Sequence, residues 1–370
     1  MGQFMFENRF STLRMKFDAL GVDTIWITQP ENRRYLSGFK AFDAQLNESS
    51  GSLFITLDQA LLLTDSRYTI QAQEEAVGFE VITHKQDLIN SLSEVFDRLN
   101  TRRLGFEGGY LIWDRYQKVK EKASKHSPPV ELIPISHLVE EMREIKDPGE
   151  IEALRRSAQI MGDVLVQVIA ELRPGQVERD VAWRIESLLR EKDADGVAFP
   201  PIVASGPNSA LPHAVPTDRI LKDGEPIVFD VGARVDGYCS DMTRAIFLGN
   251  PSTYFKDIYH IVREAQVSAL NSIRPGIKSS EVDSIARDTI KKAGYGDFFG
   301  HSLGHGVGLA SHERPGVGPL KPEVLKEGMV FTVEPGIYIA GRGGVRLEEM
   351  VVLERDGVRV LTTNKNLYPF

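Results

Sequence analysis

Four acidic residues have the setting for metal chemistry, each embedded in apolar sequence near a glycine or a turn. They are Asp230 in IVFDVG, Asp241 in YCSDMT, Glu334 in FTVEPG and Glu348 in VRLEEM. They come in pairs. LKDG at Leu221–Gly224 recurs as LKEG at Leu325–Gly328, and that alignment lays Asp230 on Glu334 and Gly232 on Gly336, with Asp241 and Glu348 on the two return strands. Carboxylates gathered on one core face cannot all stay ionised without positive charge, because desolvation and mutual repulsion raise their pKa values or unfold the site. Two divalent cations meet that need. Four carboxylates and one imidazole make a mostly oxygen donor set, which suits Mn²⁺ or Co²⁺ and tolerates Zn²⁺ or Fe²⁺, while the lack of thiolates argues against a structural zinc site. The nitrogen donor falls in GHSLGHGVG, Gly300–Gly308. His301 and His305 stand four apart, a metal pair on a helix, but Gly304, Gly306 and Gly308 oppose a helix, so a strand or loop presenting one histidine is predicted. No HExxH is present, which removes the zincin reading.

The elements that must position these residues are themselves duplicated. RPG at Arg173–Gly175 precedes a helical pattern (Val181, Ile185, Leu188), and RPG at Arg274–Gly276 precedes another (Val282, Ile285, Ile290). Two repeats of this length read as half-domains facing each other rather than as solenoid units. In the first copy Asp236-Gly237 is a pair suited to positive φ, hence a tight hairpin turn. With that turn, Asp230 faces Thr243 and Gly232 faces Asp241, so Asp230 and Asp241 are diagonal neighbours on one sheet face. Upstream, Asp147 as N-cap, Pro148 in the first turn and Glu150 three residues after the cap open a long helix with apolar positions from Ile151 to Val168.

The first part of the chain alternates strands and helices. Apolar spacing from Phe6 to Leu20 predicts one helix; TIWIT at Thr24–Thr28 a strand; Ser52–Leu57 and Ala60–Thr64 a hairpin. Helices follow at Tyr68–Ala76, Leu88–Leu99 and Ile112–Ala123, and strands at Phe79–Thr83, Arg103–Phe106 and Val130–Ile135. This is an α/β domain with its own core. The 370 residues and 42% hydrophobic content support two domains, divided as 1–137 and 138–370. A net charge of −8 argues against a nucleic-acid surface, and no apolar run reaches the length of a membrane span or signal segment. With a single cysteine, Cys239, no internal disulfide forms, and a soluble cytoplasmic protein is expected.

The DVG–GYCSDMTR stretch (Asp230–Arg244), GHGVG (Gly304–Gly308) with His312 following, VEPGIY (Val333–Tyr338) and GVRLEE (Gly344–Glu349) together resemble the pita-bread metallopeptidases of the proline-specific branch, the Xaa-Pro aminopeptidases and prolidases. The resemblance covers nearly the whole chain. It implies a creatinase-like α/β N-terminal domain followed by a duplicated α+β pita-bread catalytic domain, a homodimer, and proline-containing peptides as substrates. Carried over by position, Asp230 chelates one metal, Asp241 and Glu348 bridge both, and His305 and Glu334 bind the second. Two cations sharing a water lower its pKa, polarise the scissile carbonyl and hold the oxyanion. His213 and His312 match positions that donate hydrogen bonds to substrate, and Arg346 matches an arginine that supports the bridging acid. The expected activity is hydrolysis of the Xaa-Pro bond at peptide N-termini by a metal-bridged hydroxide.

Relatives that act as prolidases place an arginine directly after the proline of HExP, where it pairs with a dipeptide carboxylate. Here Gly316 follows Pro315 and the nearest arginine is Arg314, which tilts the reading from dipeptidase to aminopeptidase. Methionine aminopeptidases lack this N-terminal domain, creatinase works without metal, and non-catalytic relatives lose ligands. His84, His126, His137 and His260 carry no catalytic claim; Cys239 reads as a small core residue. The glycine runs lack the Lys-Ser/Thr ending of phosphate loops.

Overall fold

A computed structural model describes residues 2–43, 45, 47–85, 87–320, 322–362 and 367–369. Contacts divide the chain into two compact units, Met1–Met142 and Arg143–Phe370. The division falls a few residues after the expected junction at His137. The cause is local: Leu138 and Val139 are buried, Asn32 donates to Glu140 (3.0 Å), and Tyr35 Oη donates to the Met142 carbonyl (3.2 Å).

The first unit contains α1 (Gly2–Arg14), α2 (Phe17–Leu20), β1 (Thr24–Ile27), α3 (Pro30–Ser37), β2 (Ser52–Ile55), β3 (Ala60–Thr64) and α4 (Thr69–Glu75). It continues with β4 (Glu80–Thr83), α5 (Leu88–Leu99), β5 (Arg103–Glu107), α6 (Trp113–Lys125), β6 (Glu131–Ile135) and α7 (Leu138–Glu144), the last crossing the division. Its six strands form one sheet in the order β4-β3-β2-β1-β5-β6. One sequence expectation fails here, and one helix was not anticipated. The single helix from Phe6 to Leu20 is broken after Arg14, where Lys16 N–H turns back to the Leu13 carbonyl (3.1 Å), although Leu13 and Phe17 on either side are both buried. Helix α3, which no sequence signal announced, shows little apolar periodicity because three of its five buried residues are polar: Arg33 is wholly enclosed and forked onto Asp43, and Asn32 and Ser37 are buried with Tyr35 and Leu36.

The second unit is built twice. The first copy holds α8 (Pro148–Glu171), α9 (Glu178–Glu191), β7 (Gly196–Val197), β8 (Ile202–Ser205), β9 (Pro226–Val231), β10 (Ala233–Val235), β11 (Tyr238–Cys239) and β12 (Met242–Phe247). The second holds α10 (Thr253–Ser272), α11 (Ser279–Lys292), β13 (Gly304–Gly306), β14 (Glu313–Val317), β15 (Val330–Val333), β16 (Gly336–Ile339), β17 (Gly343–Arg346), β18 (Glu349–Glu354) and β19 (Gly357–Val360). Helix α8 opens on the expected capping box, Asp147 and Glu150 satisfying each other's backbone N–H groups. The repetition extends to single hydrogen bonds. Gly175 N–H reaches the Leu221 carbonyl (3.0 Å) as Gly276 N–H reaches that of Leu325 (2.8 Å), and Gly224 reaches Leu248 (2.7 Å) as Gly328 reaches Leu353 (2.8 Å). Each copy also has its own apolar cluster, one around Leu165, Ile185 and Phe229, the other around Val262, Val282 and Phe331.

The hairpins carry the register read from the sequence. In the antiparallel pair β9 and β12, Asp230 lies opposite Thr243; beyond them β10 and β11 close on Asp236 and Gly237, both at positive φ (49° and 76°). Between the two pairs sits Gly232, where a Cβ would lie 2.2 Å from the Ser240 carbonyl oxygen. Only glycine admits that crossing of chains. In the second copy β15 pairs with β18, and β16 with β17. No helix among the described residues is long and apolar enough to cross a membrane.

Candidate metal centre

Every candidate site residue lies in the second unit, and the two hairpins deliver the acids from opposite copies. Asp230 comes from β9 and Asp241 from the residue before β12; Glu334 follows β15, Glu348 precedes β18, and His305 is the central residue of β13. Ligand atoms of Asp241, His305 and Glu348 all lie within 4.8 Å of one another, and no ion is needed to define the cluster. His305 Nε2 stands 3.7 Å from Asp241 Oδ2 and 3.5 Å from Glu334 Oε1. Asp230 is held from the side, accepting from Arg346 Nη2 at 2.7 Å, while its other oxygen, Oδ1, is buried without a hydrogen-bond partner.

The electrostatics of this arrangement are unbalanced. Burial, followed by the charges of Glu348, Asp230 and Glu334, pushes the Asp241 carboxyl well above the usual carboxylate range. Glu348 is raised likewise by burial, Glu334 and Asp230, and Glu334 is pushed up to about 8, mainly by burial. Burial also lowers His305 to about 4, so its ring is neutral. Its Nδ1 faces the Gly306 carbonyl (3.1 Å), which fixes the proton there and turns the Nε2 lone pair toward two carboxylates. A lone pair, three acids of raised pKa and a carboxylate oxygen without a hydrogen bond converge, and the Arg346 charge beside them offsets only part of the crowding. Divalent cations fit this donor set, and nothing softer is offered by it.

A hydrogen-bonded frame fixes the acids. Thr243 Oγ1 donates to Glu348 Oε2 (2.8 Å) and accepts from Arg346 Nε (3.0 Å). Arg346 Nη1 donates to Tyr338 Oη (2.9 Å) and to the Pro212 carbonyl (3.1 Å), the latter pinning the loop that carries His213. Burial opposes the Arg346 charge, yet Tyr338, Asp230 and Glu334 around it hold the guanidinium firmly protonated. Thr332 Oγ1 donates to Glu334 (3.1 Å) and receives the His305 N–H (3.1 Å), joining two candidate ligands through one hydroxyl. His312 stacks on His305 with ring centroids 3.7 Å apart. His213 and His312 are both exposed, and each lies within electrostatic reach of the other.

Sequence reasoning missed Thr243 and Tyr338 as members of the frame, although both lie inside the quoted motifs. It also set His301 aside in favour of one histidine. The structure brings His301 in through Tyr338: its Nε2 accepts from Tyr338 Oη at 2.8 Å while Nδ1 donates to the Ser302 carbonyl at 2.8 Å. Alternation opposite Asp230 was the available signal for Thr243; for His301 there was only its spacing from His305.

Comparison with known proteins agrees with this geometry. Residues 152–355 match the model of metallopeptidase family M24, and residues 9–145 that of the creatinase/prolidase N-terminal domain. An Xaa-Pro dipeptidase of Pyrococcus furiosus is 38% identical over 96% of this chain and 98% of its own length. Among solved structures, an Xaa-Pro dipeptidase from Bacillus anthracis superposes with a TM-score of 0.91 at 39% identity, covering 98% of this chain and 99% of that one. An X-Pro aminopeptidase from Thermotoga maritima gives 0.85 at 37% identity, covering 95% and 98%. The chain belongs to metallopeptidase family M24, with a creatinase/prolidase N-terminal domain ahead of a pita-bread catalytic domain.

Proposed function

We propose that this chain is a dimetal exopeptidase that hydrolyses the bond between an N-terminal residue and a following proline. The observation that carries the reading is the neutral His305, whose Nε2 faces Asp241 and Glu334 across 3.7 and 3.5 Å, beside carboxyls at Asp241, Glu334 and Glu348 that burial and neighbouring acids push above the usual range. Asp230, Asp241, His305, Glu334 and Glu348 would hold the two ions, with Asp241 and Glu348 shared. The oxygen-rich set favours Mn²⁺ or Co²⁺. When bound, the cations supply the Lewis acidity that activates water and polarises the scissile carbonyl.

The protein's own groups do the rest. Arg346 orients Asp230 through its donated hydrogen bond, and Thr243 holds Glu348 Oε2 in place. His213 and His312, exposed at the mouth, offer N–H groups to the substrate carbonyl and a path for the proton to the leaving proline nitrogen. His301, half-buried and lowered to about 4, stays neutral and accepts from Tyr338, which keeps the Tyr338 oxygen aimed at Arg346.

Action on peptides longer than two residues is supported by Arg314. Its Nε pairs with Glu144 and its Nη2 with Glu323 (3.1 Å), so this arginine is committed within the protein rather than presented to a dipeptide carboxylate. The names of the Pyrococcus and Bacillus relatives favour the dipeptidase reading instead. Metal content of protein purified without added ions, together with turnover of Ala-Pro and Ala-Pro-Ala, tests both points. Two ions per chain and cleavage of the tripeptide are expected. Cleavage of the dipeptide alone overturns the aminopeptidase assignment, and a metal-free, fully active protein overturns the mechanism.

A further inference from the structure

A second buried ionic group lies directly behind Glu348. Arg244, wholly enclosed on β12, donates through Nη1 to the main-chain carbonyls of Glu348 and Thr243, and through Nη2 to Glu349 Oε2 (3.1 Å) and the Thr362 carbonyl (3.0 Å). Glu349 is held in turn by Thr362 Oγ1 and by Tyr368 Oη. The ring of Tyr368 lies against the guanidinium groups of Arg244 and Arg263, at 4.7 and 4.2 Å from its centroid. A residue near the C-terminus therefore covers an arginine that grips the backbone on which a candidate bridging acid is mounted. Glu348 is held three times from β12: its carbonyl by Arg244, its carboxyl by the Thr243 hydroxyl, and its N–H by the Thr243 carbonyl (3.1 Å).

We propose that Tyr368 is a positioning residue for the metal centre, acting through Glu349 and Arg244 to fix Glu348; this rests on the dimetal reading above. Without the Tyr368 hydroxyl, Glu349 loses a donor in a buried setting and can turn from Arg244. Without the ring as well, Arg244 is opened to water and its cation–π contact is lost. The acid whose carbonyl Arg244 holds then gains freedom; groups that directly hold a metal ligand typically set its affinity by about 10–100-fold, and a group further out, as Tyr368 is, acts at the low end of that range.

The test is Co²⁺ titration of metal-free full-length wild type, Y368F and Y368A at a temperature where circular dichroism shows all of them folded, read by the visible Co²⁺ absorption bands and by calorimetry. Y368F is expected to bind Co²⁺ about tenfold more weakly than wild type and Y368A more weakly still, with altered absorption bands. Saturating Co²⁺ is expected to restore kcat while KM for a proline peptide stays unchanged. Y368F keeps the ring and differs by one oxygen, so it decides the matter if Y368A fails to fold. A Y368F protein with wild-type affinity and spectrum overturns the proposal even if its melting temperature drops, because Tyr368 would then only pack. Wild type that binds no Co²⁺ overturns the metal reading itself.

Discussion

The residues at the centre are held in a state that the protein alone does not favour. Among the described residues Arg346 is the cation paired with Asp230, and its side chain is 4% exposed. Removing one partner of a buried pair leaves the other charge uncompensated, so Arg346→Ala is expected to cost about 3–5 kcal/mol in the metal-free protein, measured by urea unfolding. Lysine at the same position keeps the charge but loses the fork that reaches Asp230, Thr243 and Tyr338 together, and a smaller loss is expected. Glu348→Gln acts with the opposite sign. Its carboxyl is raised by burial and by Glu334 and Asp230, so neutralising it relieves repulsion. Metal-free Glu348→Gln is expected to melt above metal-free wild type at pH 8, and to gain nothing from Mn²⁺; a higher melting temperature with Mn²⁺ would refute the role of this carboxylate.

At the scale of elements, the site depends on strands that approach too closely for side chains. At Gly304 a Cβ would stand 2.0 Å from the Thr332 carbonyl oxygen, where β13 meets β15. Gly304→Ala must therefore push β13 away, carrying His305 with it. Overpacking of this kind costs about 1–3 kcal/mol, and thermal melts should show it together with weakened Co²⁺ binding. What the sequence made legible at this scale follows one rule. The β9–β12 register was readable because Asp236-Gly237 fixes the turn and every side chain follows from it. The α8 start was readable because Asp147, Pro148 and Glu150 are local signals. Helix α3 was unreadable because Arg33 is buried by pairing with Asp43, and hydrophobic periodicity carries no trace of that. Tyr338, His301 and Tyr368 escaped for a related reason: each acts through a side-chain hydrogen bond, to Arg346, Tyr338 and Glu349, that hydrophobic patterning does not encode.

For the whole molecule, the shifted groups predict opposite pH responses with and without cations. Glu334 sits at about 8 when folded against an ordinary 4.5, so between those values the folded chain holds a proton that the unfolded chain has released. Stability from this group is present at low pH and lost as pH rises toward 8. His301 and His305, lowered to about 4 from 6.5, work the other way: below 6.5 the unfolded chain takes up protons that the folded one refuses, and stability falls with pH. Between pH 6.5 and 8 the acids act alone. Chelator-treated protein is expected to lose melting temperature across that window while Mn²⁺-loaded protein does not, and calorimetry in buffers of different ionisation enthalpy should show protons released on Mn²⁺ binding near pH 7. A flat chelated curve would mean that the acids are not crowded as described.

Each copy of the second unit is built mainly around its own apolar cluster, with a smaller one shared between them, and at their seam Asp230 and Asp241 from one copy meet His305, Glu334 and Glu348 from the other. Ions shared across that seam are rivets as well as reagents. Stripping them should loosen the join before either copy melts, so hydrogen exchange after chelation is expected to quicken first at β9, β13 and β15, leaving α8 and α10 protected.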